Sequence, residues 1–79
     1  MTVTVFSKAG CSKCAFTKRA LENDGISYTE SRVDLDPKAM DYVIERGVGS
    51  LPYVEVAKDG VVVSSWIGLD MTKIKGLSA

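Results

Sequence analysis

Cys11 and Cys14 are the only cysteines in the chain, and they stand two residues apart directly after a β-rich run. That run, Thr2-Val3-Thr4-Val5-Phe6, is β-branched and aromatic and alternates as a short strand does. From Ser12 to about Asp24 the pattern is helical, with Cys14, Phe16, Thr17, Ala20 and Leu21 on one side and Lys18, Arg19, Glu22 and Asn23 on the other. A strand that turns through Ser7-Lys8-Ala9-Gly10 and enters a helix at a Cys-x-x-Cys leaves few folds open, and in this setting the pair reads as a redox dithiol. At a helix N-terminus the first thiol meets unpaired N–H groups and the positive end of the helix dipole, which favour thiolate over thiol. Cys11 is therefore the expected exposed nucleophile. Cys14, one turn on, is the expected resolving thiol that breaks a mixed disulfide.

The length of 79 residues allows one small domain, 1–79, without room for a second core. A disulfide closing so short a loop hardly constrains the unfolded chain, so stability must come from packing, for which a 46% hydrophobic content suffices. Ten basic and ten acidic residues cancel without a charged block, so neither a nucleic-acid footprint nor a polybasic membrane patch is expected. The N-terminal residues Met1 to Phe6 lack the charged and apolar regions of a signal peptide, and no run is long enough to span a bilayer. A cytoplasmic setting, in which the pair cycles under reducing conditions, is the expectation.

Further along, Gly25 is placed to end the first helix, and Ile26 to Val33 reads as a second strand, which makes a right-handed strand–helix–strand unit. Asp36-Pro37 is an N-cap followed by proline, Met40, Val43 and Ile44 form an apolar stripe, and Gly47 closes a second helix. Tyr53 to Ala57 and Val61 to Trp66 read as strands joined by the turn Lys58-Asp59-Gly60. Asp70 caps a short last helix whose Met71, Ile74 and Leu77 are expected in the core. The order β-α-β-α-β-β-α implies an α/β fold: a four-stranded mixed sheet, order 2-1-3-4, flanked by three helices, the last two strands antiparallel to the first pair.

Other readings stand beside redox chemistry. Free cysteines are often small core hydrophobes, and a structural disulfide is possible in principle. Zinc needs four ligands, and the chain has no histidine and no third cysteine, so no metal site within one chain is expected. Lys8 and Lys13 are placed either to lower the Cys11 pKa or to serve as ordinary solvated lysines. From spacing alone Pro52 is an ordinary trans proline at a strand start. Trp66 is either core or a partner-facing aromatic.

Taken in order, Val5-Phe6-Ser7-Lys8, Cys11-Ser12-Lys13-Cys14, Thr17-Lys18-Arg19-Ala20-Leu21-Glu22, Gly49-Ser50-Leu51-Pro52 and Ser65-Trp66-Ile67-Gly68-Leu69 accumulate into a resemblance covering nearly the whole length. The chain resembles a small glutaredoxin-like redoxin of the thioredoxin fold, most closely the NrdH-redoxin group. That resemblance implies a thiol–disulfide oxidoreductase and electron carrier in deoxyribonucleotide synthesis, with Cys11 attacking and Cys14 resolving. It implies that Pro52 is cis beside the disulfide and that Leu51 offers its backbone N–H and C=O to a substrate strand. Ser12, Lys13, Lys8, Trp66 and Gly68 complete the implied substrate-binding set. The implied partners are thioredoxin reductase, which passes electrons from NADPH through its own flavin, and class Ib ribonucleotide reductase as client. No cofactor is expected on the chain beyond the Cys11–Cys14 disulfide, and a monomer is expected.

Two departures from the group are visible. Ser12-Lys13 stand where an apolar residue and a glutamine are usual, and Asp70-Met71-Thr72 follow Leu69 where Arg-Pro-Asp is usual. The alternative within the resemblance is a glutathione-dependent glutaredoxin, for which Lys8 and Asp70 are present. Val48-Gly49 and Met71 offer no charge where that site needs one, so glutathione binding should be weak or absent. A cluster-binding module, the reading of a different class, is disfavoured by the intact Cys14.

Overall fold

The computed structural model describes residues 1–78. Its elements are β1 (Thr2–Ser7), α1 (Ser12–Asn23), β2 (Thr29–Arg32), α2 (Pro37–Glu45), β3 (Tyr53–Lys58), β4 (Val61–Ile67) and α3 (Met71–Leu77). The strands form one sheet in the order β2-β1-β3-β4, as expected. β1 and β2 are parallel, β3 is antiparallel to β1, and β4 is antiparallel to β3. β4 therefore runs with β1 and β2, and β3 alone opposes them. The expected direction of β4 is corrected by its own hairpin: a tight turn with Asp59 at φ 53° and Gly60 at φ 79° reverses the chain once more.

Side-chain alternation gives the sheet two buried faces. Val3, Val5, Val54, Val56 and Trp66 pack with Ala20 and Leu21 of α1 and Ile74 of α3. Phe6 and Tyr53 pack on the other face with Ala39 and Val43 of α2. Val5, Val54, Leu21 and Ile74 have no exposed surface, and burial of each stabilises by roughly 1.5–3 kcal/mol.

The helix ends follow the sequence closely. The Asp36 side chain accepts from the Lys38 N–H and the Asp70 side chain from the Lys73 N–H, each at 3.0 Å. At the end of α1 the Gly25 N–H donates to Glu22 O and the Ile26 N–H to Leu21 O, with Gly25 at φ 70°. Gly47 and Val48 repeat those bonds after α2.

Several expected positions shift. β2 begins at Thr29 rather than Ile26, because the Ile26 N–H is spent on closing α1 and its side chain enters the core. Phe16 is 53% exposed, because the buried face of α1 centres on Cys14, Thr17 and Leu21. Met40 and Ile44 are exposed, because α2 turns Ala39 and Val43 to the sheet. Met71 is exposed at the start of α3, where Ile74 fills the core and Leu77 packs against it.

Candidate active site

Cys11 is the N-cap of α1, held in extended backbone conformation at φ −94° and ψ 103°. A disulfide joins it to Cys14, with the Cα atoms 5.2 Å apart, within the span such a bridge needs. The two sulfurs are unequal: Cys11 is partly exposed, whereas Cys14 is only 2% exposed beneath the first turn. The Cys14 N–H donates to Cys11 Sγ at 3.2 Å. On reduction that donor and the helix N-terminus both favour a Cys11 thiolate.

Lys8, Ser12 and Lys13 are exposed around Cys11. Among the described residues neither lysine's ammonium enters an ion pair.

Opposite the disulfide lies the loop before β3. Phe6 pairs with Tyr53, so Leu51-Pro52 stands level with the end of β1, where the cysteine loop begins. The Leu51-Pro52 bond is cis, which overturns the trans reading from spacing and agrees with the resemblance. Cys11 Sγ is 4.0 Å from the Leu51 carbonyl oxygen. Among the described residues no backbone partner takes the Leu51 N–H or C=O. Gly68 reaches this loop directly through its N–H, which donates to Pro52 O at 2.7 Å. Trp66 does not reach it: the residue is 8% exposed and belongs to the core.

Two grooves share Lys8, one beside Leu51 and one lined by the disulfide itself. One, about 190 Å³, has an apolar wall from Leu51, Val48, Met40 and Ile44. The other, about 420 Å³, runs from Cys11 and Cys14 to Lys18, Glu30 and Arg32. Its polar wall is built across three elements. Buried Ser7 donates to Glu30 Oε2 at 2.6 Å, and Lys18 Nζ lies 2.8 Å from the same oxygen. The hydrogen bonds from Lys18 and Ser7 hold the Glu30 carboxyl below its usual pKa. Next to it, Arg32 grips Asp34 with two bonds of 2.7 and 2.6 Å and holds that carboxyl far below the usual range. Asp34 in turn accepts from the Ala9 N–H at 3.3 Å, which ties the cysteine loop to the end of β2.

This wall was missed in the sequence. Glu30 and Arg32 occupy alternate positions of an expected strand, which is a usable signal. What brings them to the site is the parallel register, Val5 beside Glu30 and Ser7 beside Arg32, which local sequence does not encode.

Exchange between this disulfide and a dithiol outside it moves two electrons without any further group. Fold and site together define a dithiol–disulfide oxidoreductase of the thioredoxin fold.

Comparison with known proteins narrows the class. The glutaredoxin family model matches residues 3–63. The glutaredoxin-like protein NrdH of Escherichia coli K12 is 35% identical over 68 residues, which are 86% of this chain and 78% of that protein. NrdH of Lactococcus lactis subsp. cremoris is 31% identical over 72 residues, 91% and 97% of the two chains. Among solved structures, the glutaredoxin-like NrdH-redoxin from E. coli, described for its thioredoxin-like activity profile, superposes with a TM-score of 0.84 at 34% identity, covering 98% of this chain and 95% of that one. The chain belongs to the glutaredoxin family and, within it, to the glutaredoxin-like NrdH proteins.

Proposed function

We propose that the protein is the dithiol electron donor to a class Ib ribonucleotide reductase and that thioredoxin reductase re-reduces it. The Cys11 thiolate attacks one sulfur of the client disulfide. A new bond forms to Cys11 and the second client sulfur leaves as thiolate. Cys14 then attacks Cys11 Sγ, closing the intramolecular disulfide and releasing the client's first sulfur with the electron pair. The observation that carries this division of labour is the unequal burial of the two sulfurs, together with the Cys14 N–H bound to Cys11 Sγ.

During exchange the free Leu51 N–H and C=O pair with the client strand, a contact that tolerates many sequences. Lys8, Ser12 and Lys13 form the exposed rim that the client meets. Gly68 and Trp66 act from behind, Gly68 through its bond to Pro52 and Trp66 through the core. Electrons come from NADPH by way of the reductase and its flavin, and the protein works as a single-domain monomer in the cytoplasm, where reducing conditions favour such a cycle. The thioredoxin-like activity profile ascribed to the E. coli relative supports thioredoxin reductase as the source.

Glutathione is disfavoured as the reductant. Asp70 is committed to capping α3 through the Lys73 N–H, and Lys8 is the one charged residue of the groove beside Leu51.

The test is deoxyribonucleotide formation by class Ib ribonucleotide reductase supplied with NADPH, thioredoxin reductase and this protein. Turnover that needs the wild-type chain and is lost with Cys11→Ser is the expected result. A reductase left idle by the fully reduced wild-type protein would contradict the assignment of client.

A further inference from the structure

Charge is unevenly placed along this neutral chain. The first 21 residues hold Lys8, Lys13, Lys18 and Arg19 and no acidic side chain, and both cysteines lie among them. Two of the cations lining the groove at the disulfide are already neutralised, Lys18 by Glu30 at 2.8 Å and Arg32 by Asp34 at 2.6 Å. Lys8 and Lys13 enter no ion pair among the described residues. Lys8 lines both grooves, and Lys13 stands exposed between the cysteines. Two positive charges beside the reactive sulfur are thus left uncompensated.

Lys13 is also placed against the helix that carries it. It is the second residue of α1, where the positive end of the dipole disfavours a cation, and the first turn holds no acidic residue to offset it. A residue that opposes the electrostatics of its own element is expected where function is served. A lysine beside Cys11 favours the thiolate, and that effect alone would speed attack on every disulfide alike. The unpaired lysines do something further. They present positive charge to whatever approaches the partly exposed Cys11.

We propose that Lys8 and Lys13 select clients by charge, and that the segment bearing the client disulfide is acidic, with carboxylate side chains beside its cysteines. The proposal rests on Cys11 being the attacking sulfur. The exchange of sulfur bonds is as described above, and the lysines act on the encounter that precedes it. Exposed charges speed the approach of an oppositely charged partner and oppose a like-charged one, and salt screens both effects.

The test follows reduction of three synthetic peptides by the fully reduced protein. Each peptide is closed by the same disulfide loop and carries glutamate, glutamine or lysine beside its cysteines. Every rate constant is divided by that of dithiothreitol with the same peptide, which removes the intrinsic reactivity of the disulfide. Ratios between peptides for one protein also cancel the reactivity of Cys11. At about 10 mM ionic strength the glutamate peptide should react about 10-fold faster than the glutamine peptide, and the lysine peptide should be the slowest. At about 1 M salt the three should converge. Lys13→Glu, which suits the helix dipole, should keep the fold and flatten the ranking. Adding Lys8→Glu should invert it. Equal normalised rates for the wild type at low salt, or a ranking that survives both substitutions, would overturn selection by these lysines. Failure of the wild type to reduce any of the peptides would overturn the attacking role of Cys11, and the selection with it.

Discussion

The N–H of Gly68 donates to the carbonyl oxygen of Pro52 at 2.7 Å, joining the end of β4 to the loop that faces the disulfide. The bond uses the Pro52 carbonyl and leaves the neighbouring Leu51 groups free for a substrate strand. It also depends on Gly68 standing at φ 92°, where an L side chain is strained.

Gly68→Ala tests that dependence. A Cβ at this position meets nothing within 4 Å, so the cost is backbone conformation alone. The variant should lose about 1–2 kcal/mol of stability and melt roughly 5–15 °C lower. Thermal denaturation followed by circular dichroism gives the answer, and an unchanged melting temperature would count against it.

Glu55 is the principal polar group of the α2 face. It is 7% exposed, and its carboxylate accepts from Tyr42 and Tyr53 at 2.6 and 2.7 Å. Arg46 lies 3.2 Å away and also covers the Tyr42 ring, but its side chain is 40% exposed, so solvent screens the ion pair. The two hydroxyls therefore carry the larger share. Glu55→Ala leaves both without their acceptor and should cost about 2–4 kcal/mol, whereas Glu55→Gln keeps an acceptor and should cost less. Urea unfolding of the two variants decides it; a loss under about 1 kcal/mol in the alanine variant would refute the role.

Each of the three tyrosines donates to a carboxylate, Tyr28 to Glu22 and Tyr42 and Tyr53 to Glu55. Burial and then these bonds push Tyr28 and Tyr42 up to about 12 and raise Tyr53 in the same direction. A phenol whose pKa is raised on folding stabilises the fold below its unfolded value of about 10, and that contribution is lost as pH rises through the folded value. Stability should therefore hold to about pH 10 and fall steeply towards about pH 12, with little tyrosinate absorbance at the lower end. A native protein with half its tyrosines ionised at about pH 10 would contradict this.

Cys14→Ser separates the two sulfurs chemically. Cys11 remains able to attack, but nothing displaces the client, so a mixed disulfide should accumulate and appear on a non-reducing gel. Full multiple turnover by this variant would remove Cys14 from the mechanism.

Much of the architecture was legible because it is written locally. The cap residues Asp36 and Asp70, the turn at Asp59-Gly60, the helix stop at Gly25 and the Cys-x-x-Cys at a helix start each act through their own neighbours. What was not legible depends on which elements meet. Phe16, Met40, Ile44 and Met71 fit apolar helical stripes, yet they stand exposed beside grooves rather than in the core. Glu55 reads as an outward position in an alternating strand, and only α2 lying over that face supplies Tyr42 and Arg46 to satisfy it. Trp66 was open between core and surface until α1 and α3 were seen to enclose it. Ser7, Lys18 and Glu30 come from three elements: the register of β1 with β2 brings Ser7 to Glu30, and α1 lying over the strands supplies Lys18.

The most direct measurement is NADPH oxidation during reduction of a protein disulfide, with two supplies of electrons run side by side. One contains thioredoxin reductase, the other glutathione and glutathione reductase. Turnover with thioredoxin reductase, and little or none with glutathione, is the predicted result for a site with an ionised Cys11 and no complete glutathione pocket. Turnover with glutathione alone would contradict it, and would mean that Lys8 and Asp70 suffice to hold the tripeptide.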